Sequence, residues 1–329
     1  MQYRKLGRSD LQVSAISLGC WALAGDAVWG AQDEHDAVAA INAAMDCGIN
    51  LFDTAEAYGD GRSEELVGRT LAGRRHEVLI GTKVLPTHQR PEDLRASCEA
   101  SLRRLQTDYV DIYYLHWPNW QLPVAETVGT LQQLQQEGKV RVVGVSNYGR
   151  RDLTELLAAG RPEVNQLCYS LLWRAIEDEI VPTCVENEVG IACYSPLAQG
   201  LLTGKFASAD QVPDGRARTR HFRGTRPQAR HGEAGAEAET FAAIARIRTL
   251  CEEAGVPMAQ AAVAWLLARP GVAMVIAGGR SEAQVRANAA AADLHLPSEL
   301  MTALTAATDE LKAKLGPNPD MWQAQSRIR

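Results

Sequence analysis

The sequence lacks any apolar run long enough to cross a membrane. Its most apolar stretch, residues 261–279, is interrupted by Arg269 and Pro270, whereas a spanning helix needs about 20 consecutive apolar residues. The first residues, Met-Gln-Tyr-Arg-Lys, carry no apolar segment typical of a signal peptide. No Asn-x-Ser/Thr glycosylation site occurs either. We therefore expect a cytoplasmic protein without a membrane partner.

Positive charge is also scarce. The 329 residues include 34 Lys+Arg against 40 Asp+Glu, a formal net charge of -6. A nucleic-acid-binding surface needs an excess of basic residues to displace counterions. Nucleic acid is therefore not expected as a partner, and a small molecule is the expected ligand.

Cysteine and histidine motifs for metal or redox chemistry are missing. The seven cysteines are scattered and form no Cys-x-x-Cys pair, and neither His-x-His nor His-Glu-x-x-His occurs. Zinc sites and dithiol redox centres rely on such spacings. We therefore expect reduced, mostly buried thiols and no metal.

The common nucleotide-binding and nucleophile motifs are incomplete. Gly59-Asp60-Gly61 opens like a dinucleotide fingerprint, but Glu64 occupies the position of the third glycine. Residues 200–206 fall one residue short of a P-loop, and no Gly-x-Ser-x-Gly nucleophile elbow is present. If the protein uses a nicotinamide cofactor, it does not bind that cofactor through a Rossmann fold.

The sequence does contain a regular alternation of apolar, strand-like runs and amphipathic helical segments. Eight runs are predicted as strands: 16–18, 50–53, 78–82, 109–115, 140–145, 164–168, 191–194 and 272–276. Helices are predicted near residues 33–47, 64–71, 91–105, 124–137, 151–159, 177–188 and 239–268. Continuously apolar strands joined by helices indicate an α/β fold with a covered parallel sheet. Eight such units predict a (β/α)8 TIM barrel, and because no linker divides the chain, residues 1–329 are expected to form a single domain.

Three segments lie outside the repeating units. The chain before residue 16 is predicted to form an N-terminal hairpin that closes the bottom of the barrel. Residues 196–236, the seventh βα loop, are rich in Arg and Gly and exceed the usual loop length, so they form either a functional loop or a disordered surface excursion. The C-terminal tail, 316–329, carries no pattern that places it.

Polar residues occupy several predicted strand ends. Asp53, Lys83 and His116 end the second, third and fourth strands, and Tyr58 lies in the loop after Asp53. Side chains at the carboxyl ends of barrel strands converge on one mouth. Each residue alone has an ordinary explanation as a helix cap, a solvated cation, a rim histidine or a loop aromatic.

Together these four residues suit proton donation beside a hydride donor. A free tyrosine, with a pKa of about 10, is a weak acid at neutral pH. A neighbouring ammonium group such as Lys83 lowers that pKa, and a carboxylate such as Asp53 keeps the ammonium charged. His116 would hydrogen-bond a carbonyl oxygen as negative charge develops on it.

Several motifs carry a resemblance to a known family. The sequence resembles the aldo-keto reductase superfamily, including its potassium-channel β-subunit-like branch, in Asp53-Thr54-Ala55-Glu56-Ala57-Tyr58-Gly59, Gly81-Thr82-Lys83, Leu115-His116-Trp117-Pro118 and Gly144-Val145-Ser146-Asn147-Tyr148. The resemblance implies metal-free, NADPH-dependent reduction of small aldehydes or ketones to alcohols. It makes Tyr58 the general acid, Lys83 and Asp53 its tuning pair, and His116 the residue that orients the carbonyl.

The resemblance also implies a set of cofactor-binding residues. At the nicotinamide end these are Ser146, Asn147, Gln166, Tyr194, Ser195, Pro196 and Leu197. Tyr194 would stack on the nicotinamide ring. At the adenosine end they are Gly278, Arg280, Gln284 and Asn288, with Arg280 suited to the 2′-phosphate of NADPH or NADP+. The family usually has proline where Ala277 stands.

Arginines and tryptophans complete the expected site. One or two arginines of the long loop are expected to bind cofactor phosphate; the candidates are Arg216, Arg218, Arg220, Arg223, Arg226 and Arg230. Trp21 and Trp117 are predicted to line an apolar substrate pocket, whereas Trp29, Trp120 and Trp173 either line the mouth or pack loops on the barrel. Two functions remain open: a carbonyl reductase, favoured by the intact catalytic set, and an NADPH-binding regulatory barrel with weak or vestigial turnover.

Overall fold

Eight parallel strands form a closed barrel in the computed structural model, which describes residues 1–329. A hairpin of β1 (Tyr3–Lys5) and β2 (Gln12–Ser14) precedes them. The barrel strands are β3 (Ile16–Gly19), β4 (Leu51–Asp53), β5 (Leu79–Val84), β6 (Val110–Leu115), β7 (Val140–Ser146), β8 (Val164–Cys168), β9 (Gly190–Tyr194) and β10 (Val272–Gly278). β10 pairs with β3 and closes the barrel. The predicted (β/α)8 barrel is confirmed, and every predicted strand overlaps an observed one.

Helices connect successive strands and cover the outside of the barrel. They are α1 (Glu34–Asp46), α2 (Arg62–Thr70), α3 (Pro91–Leu105), α4 (Val124–Gln136), α5 (Arg150–Ala159), α6 (Ile180–Glu186), α7 (Glu237–Glu253), α8 (Met258–Leu267), α9 (Glu282–Ala290), α10 (Ser298–Ala306) and α11 (Asp309–Leu315). On α3, Leu94, Cys98 and Leu102 are buried at helical spacing and face the strands. This spacing is the apolar stripe that the sequence predicted.

One helix that was predicted to be continuous is interrupted in the structure. Residues 239–268 form two helices, α7 and α8, instead of one. Gly255 adopts a left-handed φ of 65° after α7, and Pro257 precedes the first turn of α8. A left-handed glycine ends a helix, and a proline cannot donate the backbone hydrogen bond that would continue it.

The N-terminal hairpin lies at the amino-terminal end of the barrel strands, as predicted. Arg4 of β1 donates to the carbonyl oxygens of Leu267 and Val272, at 3.0 and 2.9 Å, and Val272 begins β10. Leu6 and Leu11 are buried in one cluster with inward-facing residues of the strands. The hairpin therefore closes the bottom of the barrel with apolar side chains and leaves the opposite end for the site.

The barrel interior depends on one close approach between neighbouring strands. Tyr114 of β6 lies fully buried inside the barrel beside Gly144 of β7. A Cβ atom at Gly144 would stand 2.5 Å from the Tyr114 ring. Glycine is required at this position because any side chain would displace the ring.

The long loop 196–236 packs on the barrel. It contains short 3-10 turns at Ala198–Thr203 and Ala209–Gln211, and its residues Ala217, His221 and Phe222 are buried. Of the two predicted alternatives for this segment, the structure therefore favours the packed loop. All seven cysteine thiols are unpaired, and all but Cys47 are buried. None of the helices has the length and apolarity that crossing a membrane requires.

Candidate active site

A large cavity opens at the carboxyl ends of the barrel strands. It has a volume of about 810 Å³ and is lined by Asp53, Tyr58 and His116, by the long loop and by part of the C-terminal tail. Lys83 lies fully buried beneath the cavity floor. The fold thus brings the four predicted catalytic residues to one place, as expected for residues that end neighbouring parallel strands.

A buried ion pair forms the base of the site. Lys83 Nζ donates to Asp53 Oδ1 at 2.5 Å and to the Thr54 carbonyl oxygen at 2.8 Å, and neither charged side chain is more than 4% exposed. Although burial opposes the charged form, Asp53 and Tyr58 raise the pKa of Lys83 above its usual value. The ammonium group is therefore charged at neutral pH.

Tyr58 lies directly above this ion pair. Its hydroxyl oxygen accepts a hydrogen bond from Lys83 Nζ at 3.2 Å, and the same nitrogen lies 4.8 Å from the centre of the phenol ring. Burial raises the pKa of Tyr58, and the positive charge of Lys83 offsets only part of that rise. The expected lowering of this pKa therefore does not occur: burial outweighs the ammonium charge.

His116 stands beside Tyr58 at the end of β6. The two rings meet edge to face, with their centres 6.0 Å apart. Burial and the nearby Lys83 charge together lower the pKa of His116 to about 3. The imidazole is therefore neutral near pH 7, and it offers one ring N–H as a donor.

The residues predicted at the nicotinamide end form a connected group of hydrogen bonds. Asn147 donates to the His116 carbonyl oxygen at 3.2 Å and to Ser146 Oγ at 3.1 Å, and its Oδ1 accepts from the Tyr194 hydroxyl at 2.9 Å. Gln166 donates to Asp53 Oδ2 at 2.7 Å. These residues all line the cavity. The contact of Gln166 with Asp53 was not predicted.

The backbone next to Tyr194 is unusual. Asn147, Ser195 and Gln199 line the cavity with φ values of 61°, 52° and 59°, a region that non-glycine residues rarely adopt. Such strained conformations concentrate at binding sites. Pro196 and Leu197 line the same wall. No sequence pattern pointed to Gln199, whose side chain donates to Ser195 Oγ at 3.1 Å.

The predicted adenosine-end residues lie together at the other end of the cavity. Gly278, Arg280, Gln284 and Asn288 all line it. Arg280 donates to the Trp29 carbonyl oxygen and to Gln32 Oε1, at 2.7 and 2.6 Å, and also to the Ala31 carbonyl oxygen. Since a guanidinium carries five N–H donors, two remain for a ligand. Every oxygen that Arg280 contacts in this way is uncharged, so its positive charge is not neutralised by a carboxylate.

Lys205 and Arg216 join Arg280 in a cationic group that we call the phosphate cluster. Burial, with the positive charges of Arg216 and Arg280, lowers the pKa of Lys205. Arg216 makes no ion pair, and its Nε is buried without a hydrogen-bond partner. Unpaired cations that are held together in this way favour an anionic ligand. The donors present therefore fit the phosphates of a dinucleotide.

The other loop arginines divide between those that line the cavity and those that pair with carboxylates elsewhere. Arg218 and Arg230 line the cavity. Arg220 pairs with Glu233 at 2.6 Å, and Arg226 lies near several carboxylates. Arg223 is half exposed and pairs with Glu237. Arg223 is therefore not among the arginines that line the cavity.

The tryptophans also divide into two groups. Trp21 and Trp117 line the cavity, as predicted, and so does Trp29. Trp173 is 1% exposed and packs against His221. Trp120 bonds Asp152 outside the cavity. Trp173 therefore packs loops on the barrel, whereas Trp120 is 47% exposed.

The C-terminal tail supplies cavity residues that the sequence reasoning missed. Trp322 and Arg327 line the cavity, and the Arg327 guanidinium lies 3.7 Å over the Trp117 ring. The buried Asp320 fixes Arg327 through two hydrogen bonds of 2.7 and 3.0 Å. A tryptophan within a polar tail was the available signal, because exposed tryptophan is uncommon outside binding surfaces.

Comparison with known proteins agrees with this geometry. The sequence model of the Aldo/keto reductase family matches residues 15–309. The chain belongs to the aldo/keto reductase family. The resemblance that the sequence motifs indicated is thereby confirmed.

Individual relatives of this aldo/keto reductase cover nearly its whole length. It is 34% identical to the NADH-specific methylglyoxal reductase of Escherichia coli, over 88% of this chain and 93% of that protein. It is 33% identical to a probable voltage-gated potassium channel subunit beta of Oryza sativa, over 89% and 92%. An aldo-keto reductase of Klebsiella pneumoniae in complex with NADPH superimposes with a TM-score of 0.73 at 32% identity, over 97% and 96%. The family assigns this reductase to the oxidoreductases that act on small carbonyl compounds.

Proposed function

We propose that this protein reduces aldehydes or ketones to alcohols with NADPH, and that Tyr58 gives its proton to the carbonyl oxygen. The observation that carries the proposal is the position of Lys83 Nζ, which contacts both Asp53 Oδ1 and the Tyr58 hydroxyl oxygen. An ammonium group is only a donor, so the Tyr58 oxygen accepts from it. The phenolic hydrogen is then free to point into the cavity.

Proton transfer from Tyr58 is supported by its charged neighbour. At neutral pH the raised pKa keeps the phenol protonated before reaction. As the proton leaves, negative charge develops on the phenol oxygen, 3.2 Å from the ammonium of Lys83. An interaction that stabilises negative charge only as it forms in the transition state lowers the barrier to proton transfer. An interaction that stabilised the same charge equally before the reaction would not lower that barrier. The role of Lys83 is therefore to stabilise the phenolate as it forms.

His116 orients the carbonyl from the other side. A neutral imidazole donates a hydrogen bond to the oxygen without adding a second full positive charge near Lys83. Its ring lies edge to face with Tyr58. A carbonyl oxygen held between the two rings would receive two hydrogen bonds while its carbon faces the cavity.

The lining residues support NADPH as the cofactor. When bound, the nicotinamide supplies the hydride that reduces the carbonyl carbon. Ser146, Asn147 and Gln166 would hold the carboxamide, and Tyr194 would cover one ring face and exclude water. Next to Tyr194, residues Ser195, Pro196 and Leu197 would form the wall along the cofactor. At the other end, Gly278, Gln284 and Asn288 would contact the adenosine.

The phosphate cluster is the reason for preferring NADPH over NADH. Lys205, Arg216 and Arg280 together carry three positive charges, more than the two negative charges of a pyrophosphate require. Arg280 also adjoins the start of α9, where the helix dipole favours a 2′-phosphate. The methylglyoxal reductase of E. coli is described as NADH-specific, so the choice requires a direct comparison.

The experiment follows the loss of nicotinamide absorbance with NADPH and with NADH, across methylglyoxal, aromatic aldehydes, ketones and sugars. We expect turnover with NADPH and a loss of about 10²- to 10⁴-fold in kcat for Tyr58→Phe. Tyr109→Phe, which changes a tyrosine just before β6 at the other end of the strand from His116, is the matched control and should keep full activity. Equal turnover by wild type and Tyr58→Phe would show that Tyr58 is not the acid.

The likeness to a potassium channel β subunit supports a second candidate function. In this second function, the barrel of the present protein would bind NADPH as a regulatory protein and would reduce carbonyl substrates only weakly. Tight cofactor binding by fluorescence titration, with negligible turnover of every carbonyl in the panel, would favour this function over the reductase.

A further inference from the structure

The cations that line the cavity fall into two separate groups. The phosphate cluster joins Lys205, Arg216 and Arg280, whose charges act on one another. Arg218 is not part of it: the cation that acts on Arg218 is Arg230. The two arginines also lie over different rings: the guanidinium carbon of Arg216 is 5.5 Å from the ring centre of Trp29, whereas Arg218 lies over Trp21 and Trp322.

Arg218 is connected to Tyr58, the proposed acid, through one aromatic ring. Its guanidinium carbon stands 5.6 Å from the ring centre of Trp21 and 4.6 Å from that of Trp322. Trp21 is in turn stacked on Tyr58, with ring centres 5.7 Å apart and planes 18° from parallel. The chain of contacts runs from Tyr58 through one tryptophan to the guanidinium.

Arg218 has no partner of its own. It makes no hydrogen bond or ion pair with the protein, and its Nε is buried without an acceptor. Asp26 is near enough to influence it, but Asp26 already accepts bonds from Trp21 Nε1 at 2.7 Å and from the backbone N–H groups of Val28 and Trp29. A partly desolvated guanidinium without an acceptor is costly unless a ligand supplies one.

Arg327, the other arginine near the substrate side, is already neutralised. Both hydrogen bonds of its guanidinium, from Nε and from Nη2, go to the buried Asp320. Arg218, with Arg230 near it, thus remains available to a substrate at this end of the cavity. The two tryptophan faces hold its guanidinium in place, so little side-chain entropy is lost when it binds an anion.

We propose that the carbonyl substrate carries a carboxylate and that Arg218 binds it while Tyr58 and His116 hold the carbonyl. This inference rests on the proposed reductase function and names the substrate class of that same site. The carboxylate undergoes no reaction; it fixes the substrate through hydrogen bonds that suit the planar guanidinium fork. Trp21 lies between the two polar ends, so the part of the substrate that joins them is apolar and of about aromatic size.

The test compares two substrates of equal size that differ in charge. These are 4-formylbenzoate and its neutral isostere 4-formylbenzamide, measured with wild type, Arg218→Met and Arg218→Lys in the presence of saturating NADPH. We expect Arg218→Met to lower kcat/KM for 4-formylbenzoate about 10- to 100-fold and to leave 4-formylbenzamide within about threefold. Lysine keeps the charge but not the fork, so Arg218→Lys should lie between.

Arg223→Met is the matched control variant. Arg223 belongs to the same loop but lies outside the cavity. Its replacement should therefore leave kcat/KM unchanged for both substrates. If Arg218→Met lowers kcat/KM equally for both substrates, the inference is wrong and Arg218 has a structural role. If Arg218→Met weakens NADPH binding, Arg218 belongs to the cofactor site and the inference is also wrong.

A binding measurement gives a second readout that does not depend on turnover. Because Trp21 and Trp322 flank Arg218, benzoate should change tryptophan fluorescence when it is added to the NADP+ complex, and benzamide should bind at least about tenfold more weakly. Arg218→Met should remove this preference. Equal binding of the two ligands by wild type would overturn the inference.

The two proposals fail in distinguishable ways. Reduction of neutral aldehydes that depends on Tyr58, without any charge preference that depends on Arg218, would overturn only the substrate class. Benzoate binding that depends on Arg218, in a protein that reduces no carbonyl, would overturn the reductase while the anion site stands.

Discussion

Gln166 donates its side-chain amide to Asp53, with 2.7 Å between Nε2 and Oδ2. Lys83 takes the other oxygen of the same carboxylate. Asp53 is therefore held from two sides, by β8 across the barrel and by β5 next to it. Gln166 also lines the cavity, so one side chain links the cavity lining to the buried ion pair.

This link predicts a mixed effect for Gln166→Leu. Loss of the donor leaves one oxygen of a buried carboxylate unpaired and frees Asp53 to move, so kcat should fall roughly tenfold. The KM for NADPH should rise as well, because Gln166 is also one of the residues proposed to hold the nicotinamide carboxamide. Ser146→Ala, which leaves Asp53 untouched, should raise the KM alone. Steady-state kinetics measure the split, and an unchanged kcat in Gln166→Leu would contradict the positioning role.

The buried ion pair predicts that stability and activity can be separated. Lys83→Met leaves the Asp53 charge uncompensated, and we expect the free energy of unfolding to fall by about 3–5 kcal/mol. In the double variant Asp53→Asn/Lys83→Met, no charge remains buried, so most of that stability should return.

Neither variant should reduce a carbonyl, since the phenolate of Tyr58 would form without its ammonium neighbour. Denaturant titration and NADPH turnover, measured on both variants, check the two outcomes. Recovery of turnover in the double variant would show that Lys83 is only structural.

The phosphate cluster predicts different effects for two of its arginines. Arg280→Met should raise the dissociation constant of NADPH about 10- to 100-fold with a smaller effect on NADH, because only NADPH carries the 2′-phosphate. Arg216→Met should weaken both cofactors similarly, since it would contact the pyrophosphate that they share. Fluorescence titration with both cofactors measures this, with Arg223→Met as the control. If Arg216→Met weakened the binding of NADPH but not that of NADH, the roles assigned to Arg216 and Arg280 would be reversed.

A buried histidine of the long loop predicts a pH dependence of stability. Burial lowers the pKa of His221 from 6.5 to about 4, and its ring nitrogens contact Thr219 Oγ1 and the Leu172 carbonyl oxygen at 3.0 and 2.9 Å. Below pH 6.5 the unfolded chain takes up a proton that the folded protein does not. Stability therefore falls as the pH drops from about 6.5 towards 4.

The corresponding variant is His221→Gln. The loss of stability between pH 7.5 and pH 5 should be smaller than in wild type by about 2 kcal/mol. His35→Gln replaces a histidine at the surface and should leave the difference unchanged. Denaturant midpoints at the two pH values measure both variants, and identical pH dependence in His221→Gln and wild type would contradict the assignment.

The sequence predicted the barrel and its mouth because both follow from local patterns. Apolar runs at regular intervals predicted the strands, and polar residues that end consecutive strands, such as Asp53 and Lys83, must meet in a parallel barrel. The break between α7 and α8 was also predictable, since Gly255 and Pro257 are the usual signals for ending and beginning a helix. That prediction failed because apolar spacing continues across the break.

Other features depend on long-range packing that a sequence pattern does not contain. The pKa of Tyr58 is set by the balance between burial and the Lys83 charge, and the depth of burial is a property of the folded cavity. Whether an arginine has an ion-pair partner also depends on the tertiary structure. Arg218 and Arg220 are two residues apart, yet Arg218 has no acceptor whereas Arg220 pairs with Glu233. The tail residue Trp322 reaches the cavity only because the barrel brings distant segments together.

The long loop and the tail are fastened to each other as well as to the barrel. Arg220 donates its backbone N–H to the Met321 carbonyl oxygen at 2.9 Å, and its guanidinium donates to the carbonyl oxygens of Asn318 and Leu315 at 3.1 and 3.0 Å. A tail transplanted from a relative would lose these anchors unless its loop came with it. In protein engineering, loop and tail are one exchangeable unit, and new substrate preferences are best sought in libraries that vary the two together.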